Sequence, residues 1–212
     1  MSVVLEEIKN GVIKLKPAIV KEACERALAE GITAQTILNA GLIAGMAVVG
    51  EKFKNNQVFV PEVLMASKAT HAGMDVLKPI LAESAVEPVG KFVLGTVKDD
   101  LHDIGKNLVG MMLEGSGFEV IDLGIDVSPE KFVKAAKEYN ANIVGMSSLI
   151  TSTLHYLGET IAAMEKAGLR DSVKIMVGGA PVTAEYAKQI GADGYGKDAS
   201  VAVEVALKLL QQ

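Results

Sequence analysis

The chain has 212 residues and a mass of 22.3 kDa, enough for one large domain or two modest ones. Half of it is hydrophobic while aromatics make up 4% and Trp is absent, which suits Ala, Val, Ile, Leu and Met packing between helices and parallel strands better than an all-β sandwich. A net charge of −5, with no basic run interleaved with aromatics, excludes the clustered Lys and Arg of a nucleic-acid surface. A lone cysteine, Cys24, supports neither a disulfide framework nor a Cys-based metal site; within "KEACERALAE" it is expected to be a buried structural thiol. The N-terminus "MSVVLEEIKNG" lacks a signal peptide's apolar core. No uninterrupted apolar run approaches the ~18 residues of a membrane span, so a cytoplasmic protein is expected, acting on neither membrane nor nucleic acid.

Residues 1–86 read as a small helical bundle with no convincing strand. A short helix near 3–9 precedes "PAIVKEACERALAEG" (17–31), whose apolar residues recur at helical spacing until Gly31 stops them. "TAQTILNAGLIAGMAVVGEKF" (33–53) reads as one long helix capped by Thr33, and "PEVLMASKATHAGMDVLKPILAE" (61–83) starts with proline in its first turn. "ESAVEPVGK" (83–91) loses periodicity around Pro88 and Gly90 and reads as a linker and hinge.

From 91 to 212 strands and helices alternate. "KFVLGTV" (91–97), "EVIDLG" (119–124), "NIVGMSS" (142–148), "VKIMVGG" (173–179) and "DGYG" (193–196) read as five strands with helical stretches between them. Ser128, Pro129 and Glu130 have the chemistry of a helix start: a capping hydroxyl, proline at the first position and a carboxylate at the positive dipole end. Near-continuously apolar strands joined by helices imply a parallel sheet covered on both faces, an α/β flavodoxin-like (Rossmann-like) domain of strand order 2-1-3-4-5. Ligands of such sheets bind beyond the carboxyl ends of the strands, where the order reverses. That edge gathers "KDDLHDIG" after the first strand, "SSLITST" after the third and "GGAPVT" after the fourth.

His102 stands in that edge among carboxylates. Asp100, two residues earlier, is close enough to accept an N–H from one ring nitrogen, fixing the tautomer and aiming the other outward. A metal ligand and a catalytic base would use the same pair, so the dyad alone does not choose. A protein-held zinc needs three or four ligands, and His71 and His155 are not at ligand spacing from His102. A metal held mainly by its own macrocycle needs one, and Gly105, opening the next helix without a side chain, would let something bulky pass. His71 is expected at the surface and His155 in the first turn of a helix. The pair Asp99–Asp100, with Lys197 after the fifth strand, also suggests a response-regulator receiver; that reading fails because the third strand ends in "MSSL" rather than in an aspartate.

Three elements, Asp100-Leu101-His102-Asp103-Ile104-Gly105 as D-x-H-x-x-G, Ser147-Ser148-Leu149 as S-x-L, and the pair Gly178-Gly179, follow in order on successive strand ends. Together they resemble the cobalamin-binding module of methionine synthase and of corrinoid methyl carriers, and the likeness extends to residues 1–86, similar to the helical cap that precedes the module at 91–212. The resemblance implies base-off cobalamin with His102 as the lower cobalt ligand, Asp100 on its far nitrogen, and the nucleotide tail in a slot that Gly105 leaves open. It implies that Ser147 bonds the tail base, that Leu149 lines the slot, and that Gly178 and Gly179 let the fourth strand pack against the tail. Thr153 stands where methionine synthase extends the relay with a serine, and Thr151 would touch the tail or the corrin edge. Phe59 and Met65, with Met74 beyond, would press on the upper corrin face. The implied function is a methyl carrier, passing through methylcobalamin, that serves a substrate:corrinoid methyltransferase and a second methyltransferase using coenzyme M or tetrahydrofolate. A reductive activase would keep it working, in methanogenesis or acetogenesis, with a system of the methylamine, quaternary-amine or methanol type. A cobalamin-dependent sensor and the small subunit of an adenosylcobalamin mutase are the alternatives.

Overall fold

A computed structural model describes residues 2–83 and 88–211. The chain divides into two compact units, residues 1–88 with 115–117, and residues 89–114 with 118–212. Residues 84–87 of the expected linker lie outside the described residues.

The first unit is helical. Its rods are α1 (Val3–Ile13), α2 (Pro17–Ala29), a composite rod of α3 (Ala34–Ile37), a π segment (Leu38–Ile43) and α4 (Ala44–Lys54), and α5 (Val60–Glu83). Pro17 opens α2, and Gly31, at φ 81°, closes it: its amide bonds Leu28 O and the next amide, Ile32, bonds Ala27 O. That double bond pattern is the Schellman closure, which needs a left-handed residue. Thr33 caps α3 by accepting from the Thr36 amide. The expected single helix over 33–53 is interrupted by the π segment, where the hydrogen-bond ladder slips by one residue, a choice that apolar spacing does not encode. A Cβ on Gly41 would stand 2.8 Å from Ile8, and one on Gly45 would stand 3.0 Å from Lys9 O. Glycines therefore set how closely α1 lies on this rod. The stretch Ala34–Lys54 is long and apolar enough, by length and composition alone, to cross a membrane, although charged residues interrupt it. Ile8, Val12, Val20, Ile37, Leu42, Met46 and Leu77 form the buried interior. Cys24 is buried too, and desolvation, aided by Glu25, pushes its thiol up to about 12, so it stays protonated and inert.

The second unit is the expected α/β domain. Strands β1 (Lys91–Thr96), β2 (Glu119–Asp122), β3 (Ile143–Ser147), β4 (Lys174–Gly178) and β5 (Gly194–Gly196) form one parallel sheet in the order β2-β1-β3-β4-β5. Helices α6 (Ile104–Gly115), α7 (Pro129–Glu138), α8 (His155–Lys166), α9 (Ala184–Gln189) and α10 (Ala199–Leu209) connect and cover it. Ser128 accepts from the Lys131 amide and Pro129 occupies the first turn of α7. Phe132, Val144, Leu157, Met164 and Ile175 fill one side of the sheet. Each strand is slightly shorter than its expected span, although the Leu123 amide, just past β2, still donates to Leu94 O and Gly124 O accepts from the Thr96 amide.

Candidate cofactor-binding site

The site forms where β1 and β3 end. The loop leaving β1 turns at Asp99, which adopts a left-handed backbone at φ 61°. The Asp99 amide donates to Asp126 Oδ1 at 2.8 Å, and its carboxylate accepts the Tyr156 hydroxyl at 2.6 Å. That bond is the main reason the Tyr156 hydroxyl is pushed up to about 12.

Asp100 is fully buried. Its Oδ1 accepts from His102 Nδ1 at 2.7 Å and from the His102 amide at 3.1 Å. Its Oδ2 accepts from the Leu149 amide at 2.7 Å and from Thr153 Oγ1 at 3.1 Å. Burial is the largest single influence on this carboxyl and by itself raises its pKa. The donors from Leu149, His102 and Thr153 together outweigh it and hold Asp100 below the ordinary value of 3.8. A charged carboxylate can only accept, so Nδ1 carries a proton, and in the neutral imidazole that leaves the lone pair on Nε2. Nε2 has no partner among the described residues, and the imidazole side chain is 51% exposed.

The loops that carry and hold His102 leave large apolar groups in solvent: Leu101 is 68% exposed, Ile104 79% and Leu149 44%. Exposed leucine is ordinary taken singly, but three large exposed apolar groups in the loops beside an unpartnered imidazole nitrogen read as a surface to be covered. Gly105 sits in the first turn of α6, and a Cβ there would meet nothing within 4 Å. Nothing in the chain itself calls for glycine at that position, which costs a helix roughly 0.5–1 kcal/mol relative to alanine. Gly178 and Gly179 differ. A Cβ on Gly178 would lie 2.8 Å from Gly196 O, and one on Gly179, at φ 124°, would lie 1.9 Å from Ser148 O. The closing of the sheet edge itself already demands these two glycines.

Ser147 pairs in register with Thr96 and with Gly178, and its hydroxyl lies 3.0 Å from Thr96 Oγ1. Thr153 Oγ1 lies 2.8 Å from Ser148 Oγ, so the β-branch that set threonine apart from serine still lets the hydroxyl reach Asp100. Thr151 opens the short turn Thr151–Thr153 and is exposed. Asp103 is exposed and accepts from Asn107 Nδ2 at 3.0 Å. Phe59 and Met65 belong to the helical unit, where they are 62% and 41% exposed, and the Phe59 amide donates to Glu62 Oε2. His155 is exposed at the start of α8 beside Glu159 and Tyr156, as expected. His71 corrects the expectation of a surface residue: it is half-buried, with Nδ1 3.0 Å from Ser67 O, because one helical turn places the two on the same face of α5.

Residues the sequence reading missed also shape this edge. The ammonium of Lys106, almost wholly buried, donates to Asp122 Oδ2 at the end of β2 and to Asn107 Oδ1. Thr96 closes β1 and donates to His102 O at 2.9 Å. Lys106 carries no signal in the sequence, since a lysine in a first helical turn is usually solvated; Thr96 was reachable from strand register alone. Among the described residues no group of three or more His, Cys, Asp and Glu is placed to hold a metal ion. A single free imidazole suits a metal that arrives with most of its ligands already in place.

Fold and site thus define a doubly wound domain that presents one oriented imidazole at the carboxyl edge of its parallel sheet, the place where such folds bind cofactors. A B12 binding domain model matches residues 90–204, and a second model of the same description matches residues 4–78. The chain belongs to the B12 binding domain family, whose cofactor is cobalamin. It is 44% identical over 207 residues to dimethylamine corrinoid protein 1 of Methanosarcina acetivorans, covering 97% of each chain. A cobalamin-binding protein from Desulfitobacterium hafniense superposes with a TM-score of 0.81 at 36% identity, covering 97% of this chain and 98% of that one. The methanol:cobalamin methyltransferase complex of Methanosarcina barkeri superposes with a TM-score of 0.87 at 25% identity, covering 98% of this chain and 80% of that one. The unpartnered Nε2, the exposed apolar side chains of Leu101, Ile104 and Leu149 and the open space at Gly105 fit cobalamin.

Proposed function

We propose that this protein is the methyl-carrying corrinoid component of a methylamine methyltransferase system and holds cobalamin base-off with His102 as the lower cobalt ligand. Bound cobalamin supplies the chemistry, a cobalt centre that accepts a methyl group and gives it up. His102 offers Nε2, and Asp100 fixes the tautomer and the orientation of the ring. The Leu149 amide and the Thr153 hydroxyl hold Asp100 still, so the imidazole is oriented before any ligand arrives. Leu101, Ile104 and Leu149 exclude water from the underside of the site, with Asp103 and Thr151 at its margin. Gly105 admits the displaced tail to a slot lined by Ser147, Leu149, Gly178 and Gly179. Residues 1–86 form a cap domain, to which Phe59 and Met65 belong as contributors to the cofactor's upper face, and residues 91–212 form the cobalamin domain. Full-length likeness to dimethylamine and trimethylamine corrinoid proteins supports a carrier over a mutase subunit or a sensor. The structural likeness to a methyltransferase complex supports a methyltransferase partner, with a second one passing the methyl group to coenzyme M or tetrahydrofolate and an activase restoring the reduced state.

The observation that carries this reading is the Nε2 lone pair of His102, unpartnered while Nδ1 is held 2.7 Å from a buried carboxylate. Reconstitution with Co(II) cobalamin should give a paramagnetic resonance spectrum with nitrogen superhyperfine splitting that changes when the protein's histidines carry 15N. His102→Ala should remove it. Splitting indifferent to the protein's isotope would assign the ligand to the cofactor's own base and end the proposal.

A further inference from the structure

Resting on the proposal that His102 is the lower ligand, the hydrogen bonding around it points to one more residue: we infer that Thr96 is a positioning residue, whose single hydroxyl proton fixes the His102 backbone from beneath. Thr96 is the last residue of β1, wholly buried and in register with Ser147 on β3. A threonine hydroxyl has one proton and two lone pairs. That proton goes to His102 O at 2.9 Å, and no other donor reaches that carbonyl among the described residues' backbone and side-chain hydrogen bonds. The contact with Ser147 Oγ at 3.0 Å must then run from serine to threonine. The result is a directed chain, Ser147 O–H to Thr96 O–H to His102 C=O.

Direction decides what the chain can do. When Ser147 turns its proton toward another acceptor, Thr96 loses a donor but not its own bond to His102. A group entering the slot can thus take the Ser147 proton without loosening the imidazole loop. Asp100 meanwhile holds the ring nitrogen and the amide of the same residue. His102 is gripped at its amide, its carbonyl and Nδ1, leaving Nε2 as its outward-facing polar atom. Valine at position 96 keeps the shape of threonine and its strand preference while removing the proton.

The test compares wild type, Thr96→Val, Thr96→Ser and His102→Ala, each loaded with Co(II) cobalamin and read by paramagnetic resonance for the fraction of cobalt bound to protein nitrogen. Thr96→Val should bind cobalamin yet show the ratio of imidazole-bound to unbound cobalt lowered by roughly five- to tenfold, the effect of losing one buried hydrogen bond on a two-state population. Thr96→Ser should restore it. A Thr96→Val protein with the wild-type fraction overturns the assignment, as does a Thr96→Ser protein that falls as far as valine, since packing and not the proton would then be at work. Wild type without a protein nitrogen signal, or His102→Ala that keeps one, instead refutes the ligand reading on which this inference rests.

Discussion

Two turns leave the same edge of the sheet and are built on opposite terms. After β4 the chain passes Gly179 at φ 124°, where a Cβ would stand 1.9 Å from Ser148 O. Backbone fills the space there, and only glycine allows it. After β1 the chain reaches Gly105, where a Cβ would meet nothing within 4 Å, beside Leu101 and Ile104 standing in solvent. Stability accounts for the first glycine and not for the second. An edge that is satisfied in one turn and unfinished in the next separates residues that the fold itself demands from residues that have no structural reason to be what they are.

The largest effect should come from breaking the finished turn. Gly179→Ala combines a forbidden backbone angle with a clash against Ser148 O, so β4 and β3 must separate at their ends. Each such defect costs on the order of 1–3 kcal/mol, and the two together should lower unfolding free energy by about 3 kcal/mol or more in urea titration. Loss of cobalamin binding would follow from the distorted edge. A variant as stable as wild type would mean that the turn relaxes easily and that the contrast between the two glycines is not one of strain.

The next effect separates the buried carboxylate from its neighbours. Asp100 is held below 3.8 because its donors outweigh its burial. A depressed folded value contributes stability above the unfolded value, and that contribution disappears as pH falls through the folded one. Wild type should therefore lose stability below about pH 4 in part through this group. Asp100→Asn must point an amide N–H₂ at the donors of His102 or at those of Leu149 and Thr153, leaving one pair facing a donor. It should cost about 2–3 kcal/mol at neutral pH and flatten the acid limb of the unfolding profile. An acid limb unchanged in Asp100→Asn would show that other carboxylates carry the acid sensitivity.

Much of this was legible in the residues. Strand alternation, the Ser128-Pro129 start and the Gly31 stop follow from local chemistry that tertiary contacts did not override, and the order β2-β1-β3-β4-β5 follows from the doubly wound pattern that five alternating strand–helix units imply. The Asp100–His102 pair was legible because a spacing of two residues in a loop limits where the carboxylate can lie. What was not legible depends on contacts between distant segments. The π segment at Leu38–Ile43 leaves the apolar spacing intact; the burial of Lys106 needs Asp122, sixteen residues on, to meet it; and the half-buried place of His71 depends on what surrounds α5. Gly178 and Gly179 were read as room for a ligand, whereas the carbonyls of Gly196 and Ser148 already occupy the space their side chains would need. Motif and geometry agree on the residue there and differ on the reason.

The smallest effect is the most informative. Gly105→Ala places a methyl group in open space within the first turn of α6, at a position with no left-handed angle to defend. Alanine is the better helix former, so the apoprotein should gain about 0.5–1 kcal/mol in urea unfolding. Cobalamin affinity should fall, because the same methyl group would occupy the path proposed for the nucleotide tail. Cobinamide, which lacks the nucleotide, offers the matched control, and its affinity should change little. The two glycine variants would then move in opposite directions, with Gly179→Ala losing fold and ligand together and Gly105→Ala gaining fold while losing the tailed ligand alone. Equal losses for cobalamin and cobinamide would put the methyl group against the corrin ring and move the tail's entry away from α6. Unchanged affinity for both would leave Gly105 without a role, and the asymmetry between the two turns would then have no functional meaning.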